Sequence, residues 1–488
     1  MKKNACYFLS FWLCLFSYGA FSQSVTIQDA SIVASNFLNY HSSDFTIRQV
    51  EPVFNYSRQL AWVAQLSPDG FILISNSYQL RPVLAYSFES RWNIGGEEEE
   101  IFHTLMFYDV KNRLDYPDLK TKTVAKNRQE WDKFLTGTAS KDRFEQWPPA
   151  GTTPTGGWLF TNWTQSAPYN NMCPIDPNTH NRSYNGCPAT AMAQILNCFQ
   201  NIKGTRMSDA DDYYHNFGSG NKYWIDNDWQ DHGFPYFDSL NLYLDTLESN
   251  YLWNKPISNS EKAALNFACG VALKQVYSSS GSGTWGIEQS GVAWQRFGFT
   301  ESRLVYDSDT ALNSDLAENI KQGWPAHLGL VDPPVSVGHN VVVDGYNTDE
   351  FYHFNFGWGG SSNGWYTMPP TNIPYNLTVI EGIVLDIMGN NPHVGLIHQT
   401  NTVENIVSAA YLPTQNELLL SFDNPENSVQ KINLFSISGQ LLTSYLLVTI
   451  QNQRQYEITL PELKTGLLFV QIEDGKIAPQ TVKVLIQR

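Results

Sequence analysis

The chain has 488 residues, and at about 150 residues per domain that length suggests roughly three domains. Hydrophobic residues make up 42% and charged residues 16%, enough apolar material for true cores and too much for a wholly disordered chain. Lys plus Arg number 31 against 47 Asp plus Glu, a net charge of −16 with no basic cluster, which excludes nucleic acid as a partner. The 15 Trp, 25 Tyr and 27 Phe suit β-rich folds or a surface that grips a polymer.

Lys2 and Lys3, the apolar run Tyr7 to Phe16 and the small-residue site Ala20-Phe21-Ser22 read as a signal peptide, residues 1–22, cut before Gln23. The run is too short to span a bilayer, so the mature protein is expected to be exported and soluble. Cleavage leaves four cysteines: Cys173, Cys187, Cys198 and Cys269. That is too sparse for a disulfide scaffold, and without a Cys-x-x-Cys or His-x-x-x-His pair neither a metal nor a cofactor is called for.

Residues 23–150 form a first α+β unit. Ala30 to Tyr40 has helical spacing, with Val33, Phe37 and Leu38 on one side, and Leu60–Leu66 and Gly70–Ser75 read as a hairpin around Pro68-Asp69-Gly70. The acidic run Glu97 to Glu100 reads as a solvated loop or helix start, and Pro148 to Gly157 is a breaker-rich boundary. Residues 151–390 mix helices with Gly-rich, aromatic strands. From 400 to 488, short strands Leu418–Phe422, Lys431–Phe435, Leu467–Ile472 and Thr481–Ile486 predict a small all-β sandwich. Asp209, Asp211 and Asp212 lack the Gly and Glu of a calcium loop and read as a solvated turn.

Cys187 opens a helical run, with Ala191, Met192, Ile195, Leu196 and Phe199 in register and Pro188 in the first turn. A sulfur at a helix N-terminus meets free N–H groups and the positive end of the macrodipole, which favour a thiolate. His339 starts a strand, entered through Gly338, that pairs with Phe351–Asn355 in a hairpin. The hairpin brings His339 near Asn355 and Trp358, where Asn355 can orient the ring and Trp358 can shield it. Gln165 can supply an amide N–H which, with the backbone N–H of Cys187, forms an oxyanion hole.

These segments together resemble the streptopain family of secreted cysteine peptidases. The resemblance rests on Trp163-x-Gln165-x-x-Pro168-Tyr169-Asn170, Gly186 to Ile195, Gly338-His339 and Asn355 to Gly360, in that order. Phe356 stands where the family usually has Trp, Pro188 where it has Val and Asn340 where it has Ala. The first unit resembles the family's inhibitory propeptide through Gly70 to Ser75 and Pro82 to Ser87. The last resembles a Bacteroidetes-type C-terminal sorting domain through Ile437-Ser438-Gly439-Gln440 and Leu463-x-Thr465-Gly466-Leu467-x-Phe469-Val470.

The resemblance implies a papain-like fold for 151–390 and a secreted or surface-attached cysteine endopeptidase made as a zymogen. Cys187 would be its nucleophile and His339 its base, with Gln165, Asn355 and Trp358 in support. The expected partners are protein or peptide substrates with an apolar side chain near the cut, the chain's own propeptide and a secretion machinery. The same Cys–His pair could serve an amidase or a transglutaminase-like transferase, and a catalytically dead surface adhesin is the third reading.

Overall fold

The computed structural model describes residues 24–389 and 407–486, apart from 42–43, 93–96, 142–143, 219–220, 372, 374–376, 413–415, 423–427, 437–440, 450–454, 462–465 and 474–479. The signal-peptide expectation and the first sorting motif fall outside these residues, as does most of the linker before 407.

The chain divides into two compact units, one of residues up to Trp92 with Met106–Lys141, the other of Asn93–Leu105 with Asp142 onward. In the first, helix α1 (Ile27–His41) buries Ala30, Val33, Ala34, Phe37 and Leu38. This apolar stripe lies on an antiparallel sheet of β1 (Thr46–Asn55), β2 (Arg58–Ser67), β3 (Phe71–Ser75) and β4 (Val83–Ser87). β2 and β3 form the expected hairpin, with Trp62 opposite Ile74. Helix α2 (Glu97–Asp115) starts with the acidic run, and α3 (Thr121–Thr136) is pinned where the Trp131 indole donates to the Leu80 carbonyl at 2.8 Å.

The boundary differs from the expected one at residue 150. Strand β5 (Gln146–Trp147) already belongs to the second unit and pairs with β10 (Gly338–Asn347), Trp147 facing Tyr346 with stacked rings. Beyond the linker, the Trp158 N–H donates to the Asp344 carbonyl and the Leu159 N–H to the Asp344 carboxylate, each at 2.8 Å. A Cβ at Gly157 would overlap that carboxylate, so a bare backbone is needed there. Residues 93–105, expected in the first unit, also cluster with the second.

The second unit pairs helices with an antiparallel sheet, the α+β arrangement expected of a papain-like fold. Helix α4 (Cys187–Phe199), buried along nearly its whole length, packs on α7 (Asn259–Ala272) and on β10. The sheet runs β12 (Gly364–Tyr366), β11 (Tyr352–Asn355), β10, β9 (Ala326–Val331), β13 (Ile380–Leu385), β8 (Arg303–Val305). The aspartate cluster is a short turn in which Asp211 pairs with Arg296 at 2.5 Å.

The C-terminal region is all-β: a three-stranded sheet of β14 (Val407–Leu412), β15 (Glu417–Phe422) and β18 (Gln455–Thr459), and a four-stranded sheet of β16 (Ser428–Ser436), β17 (Leu441–Thr449), β19 (Gly466–Glu473) and β20 (Gln480–Ile486). Alternate residues Leu418, Leu420, Ile432, Leu434 and Val470 face a common core. Strands β14, β17 and β18 were not among the expected ones.

Candidate active site

Cys187 is the first residue of α4. The chain enters through Gly186 at φ 85°, where a Cβ would come within 2.6 Å of the Gln275 amide oxygen. Only glycine satisfies both demands, and the tight entry sets the sulfur on the helix tip. The Thr190 hydroxyl donates to the Gly186 carbonyl at 2.9 Å and locks this first turn.

The neighbours of the sulfur come from the sheet. Asn340, next to His339 on the β10 strand that packs on α4, favours the charged form of the Cys187 thiol through both its backbone and its side chain. Its Oδ1 is occupied by His327 Nε2 at 2.8 Å, and His327 Nδ1 accepts from the Trp294 indole at 3.3 Å. Indole, imidazole and amide thus form a buried chain ending on the thiol. His327, its charged form disfavoured by burial, is held at a pKa of about 4. Residue Cys187 keeps partial exposure, yet desolvation pushes its thiol up to about 11 against the pull of the Asn340 bonds and its own N–H, with the Glu381 carboxylate pushing the same way. Burial thus works against the helix tip at this sulfur.

His339 is buried, and its Nε2–H donates to the Phe356 carbonyl at 2.8 Å. Its ring lies against Trp358, centroids 4.3 Å apart, and parallel to Phe356 at 6.0 Å. Burial lowers its pKa to about 4. No hydrogen bond joins His339 to Cys187 among the described residues, and burial disfavours the charged form of each.

The aromatic wall behind His339 is continued by residues ahead of the peptidase region. Phe102 of α2, in the segment that clusters with this unit, meets Phe356 edge-on at 5.4 Å and Tyr366 at 6.2 Å. The ring thus braces the residue whose carbonyl holds the imidazole.

Of the other expected residues, Trp358 does cover His339. Asn355 does not touch the imidazole: its Oδ1 accepts from Gln194 at 3.2 Å and from the Gly357 N–H at 3.0 Å, and its Nδ2 donates to the Thr161 carbonyl at 3.0 Å. Asn355 sits at the end of β11 with its amide aimed toward α4, so it fixes the loop that carries Phe356 and Trp358. Gln165 is held beside the nucleophile by its carbonyl, which accepts from Asn185 N–H at 2.8 Å. Its side-chain amide has no hydrogen-bond partner among the described residues.

Gln194, Asn340, His327 and Glu381 escaped the sequence reading. Gln194, fully buried on α4, accepts from the Thr161 hydroxyl and the Trp163 N–H and donates to Asn355, tying helix, entry segment and loop together. A glutamine inside an otherwise apolar helix face was the available signal.

Residues 163–366 match the family model described as Peptidase C10 family, residues 22–107 that of the Spi protease inhibitor, and residues 412–487 that of the secretion system C-terminal sorting domain. The central region is similar to the Peptidase C10 family over those residues. This cysteine protease domain follows an inhibitor propeptide, the organisation of a zymogen, and the sorting domain makes the chain a secreted or cell-surface protein. No helix among the described residues is long and apolar enough to cross a membrane. Similar curated proteins include the thiol protease/hemagglutinin PrtT of Porphyromonas gingivalis, 25% identical over 61% of this chain and 32% of that protein. Streptopain of Streptococcus pyogenes is 23% identical over 64% of this chain and 74% of its own length. The chain thus spans about a third of PrtT and about three quarters of streptopain. Among solved structures, a prointerpain A fragment of Prevotella intermedia aligns at 22% identity and a TM-score of 0.48, over 70% of this chain and 99% of the fragment.

Proposed function

We propose that the chain is the latent precursor of a cysteine endopeptidase. In the active form Cys187 attacks the scissile carbonyl as a thiolate. His339 takes the thiol proton and later passes it to the leaving amine, and the Gln165 amide joins the Cys187 N–H around the oxyanion. Trp358 keeps water from the imidazole, and Asn355 holds the loop on which Trp358 stands. The observation that carries this reading is a thiol on the tip of α4, packed against the strand β10 that supplies an imidazole with one nitrogen uncommitted. The His339 Nε2–H bond to the Phe356 carbonyl fixes the ring and leaves Nδ1 to accept the thiol proton, while burial disfavours the charged form of both partners in the precursor.

The test is casein hydrolysis by the processed chain with and without a thiol alkylator. Activity is expected to vanish with the alkylator and in Cys187→Ala; hydrolysis that survives the substitution rejects the reading. New peptide termini among the products mean hydrolysis, whereas cross-links mean acyl transfer.

A further inference from the structure

One carboxylate beside the nucleophile has no part in the proton transfers. Strand β9 lies between β10 and β13, with Asn340 facing Gly329 across one ladder and Gly329 facing Gly382 across the other. The second ladder breaks register between Ile380 and Gly382, at Glu381. Such a break re-aims the side chain of the extra residue. Gly329 has no side chain to stop it: a Cβ there would lie 2.9 Å from Glu381 Oε2 and 3.1 Å from the end of Ile287. The carboxylate therefore lies over the bare backbone of β9, on the face of the sheet that Gly329 shares with its ladder partner Asn340, and it pushes the Cys187 thiol pKa up.

Glu381 is half-buried, and its Oε1 accepts one hydrogen bond from the Ile287 N–H at 3.2 Å. Across the side-chain-free Gly286 stands Glu288, which accepts the Tyr306 hydroxyl at 3.0 Å and repels Glu381. Among the described residues neither carboxylate has a Lys, Arg or His partner within ion-pair distance. Two like charges, one partly desolvated and neither neutralised, are unfavourable in the free protein. A cation arriving with the substrate removes that cost, and the two bare glycines keep side chains from covering the carboxylates.

We infer that Glu381 is a specificity-determining residue that receives the cationic side chain of a Lys or Arg next to the cleaved bond. This rests on the proposed peptidase reading and sharpens its substrate class. The family resemblance alone implies an apolar side chain near the cut, and the carboxylate over Gly329 argues for a basic one.

The test uses the full chain, opened by limited proteolysis in the exposed stretch around Gly151 where it does not process itself, with Cys187→Ala treated identically as the blank. Peptide pools differing only in Lys, Arg, Leu or Glu at each position flanking the cut are digested. The wild type is expected to favour Lys or Arg at one such position. Glu381→Gln is expected to lower the Lys-to-Leu rate ratio there about tenfold or more, the worth of a charge-assisted bond. Glu381→Lys should turn the preference toward Glu. A rate ratio is unaffected by partial misfolding of a variant. A wild type that favours Leu, or a ratio within twofold of wild type in Glu381→Gln, overturns the inference while leaving the peptidase reading intact. Cleavage no faster than the blank for every pool overturns the peptidase reading, and the inference with it.

Discussion

Asn340 owes its orientation to His327. With Nδ1 accepting from the Trp294 indole, the neutral His327 ring carries its proton on Nε2 and donates it to Asn340 Oδ1. The amide nitrogen is thereby left free to donate, and Asn340 favours the charged form of the Cys187 thiol. In the precursor, alkylation of Cys187 by iodoacetamide is expected to climb about tenfold per pH unit from neutrality toward pH 11, following the thiolate fraction. Asn340→Ala removes the donor and should move that profile to higher pH, and His327→Leu should move it the same way through loss of orientation. A profile unchanged in both variants would show that the amide does not govern the sulfur. The positions of Cys187 and His339 were legible because glycines punctuate the chain just before each. The roles of Asn340 and Glu381 were not, because they depend on which residues of β9, β10 and β13 come into register, and no local pattern encodes that. Asn355 was misread for a related reason: the hairpin fixes where the residue stands, but the aim of its amide is set by Gln194 on a distant helix.

At the scale of elements, α4 is the joint of the site. Gln194 gathers two donors at one oxygen and offers its nitrogen to Asn355. Gln194→Leu would leave the buried Trp163 N–H without its acceptor and take one of two donors from the Asn355 Oδ1, at roughly 1–3 kcal/mol for the orphaned donor. Urea denaturation is expected to register a loss of about 2–5 kcal/mol, and activity in the folded fraction should fall because the Phe356–Trp358 loop loses its anchor. Helix α2 acts on that loop from its other side. Phe102 is buried against Phe356 and Tyr366, so Phe102→Ala removes the brace behind the carbonyl that holds His339. Labelling of Cys187 in the uncleaved chain by a thiol-directed peptidase probe is expected to quicken in this variant. Equal labelling would mean that the imidazole is held without help from α2. The helix periodicities and the β2–β3 hairpin were readable from the sequence, but the division of α2 between two compact units was not. Its acidic start reads as solvated, whereas the apolar residues behind it choose their partners through tertiary packing.

For the whole molecule, buried histidines set the response to acid. His41 in the first unit is held at about 3, and His215, His327 and His339 in the second at about 4, all chiefly by burial. Each has a folded pKa below the unfolded value of about 6.5. Between those values the unfolded chain binds more protons, so stability is fully present above pH 6.5 and is lost as the pH falls toward 4. The midpoint of urea denaturation is expected to drop steadily over that interval. A flat profile would mean that these rings are hydrated in solution. The same sign applies to lowered carboxylates such as Asp211 beside Arg296, which add to the loss at still lower pH.

The grip of Asp344 on the segment after the linker carries a consequence for maturation. At Trp158 and Leu159 the backbone is sewn to β10 by the main chain and carboxylate of one aspartate, while Gly151 and Pro154 stand in solvent. A protease needs an accessible stretch of chain in its cleft, and Gly151 and Pro154 offer one upstream of this seam. If the chain is processed as proposed, the cut is expected to leave a short frayed overhang rather than a flush end, and trimming it back past Trp158 would pull thread out of the sheet that holds His339.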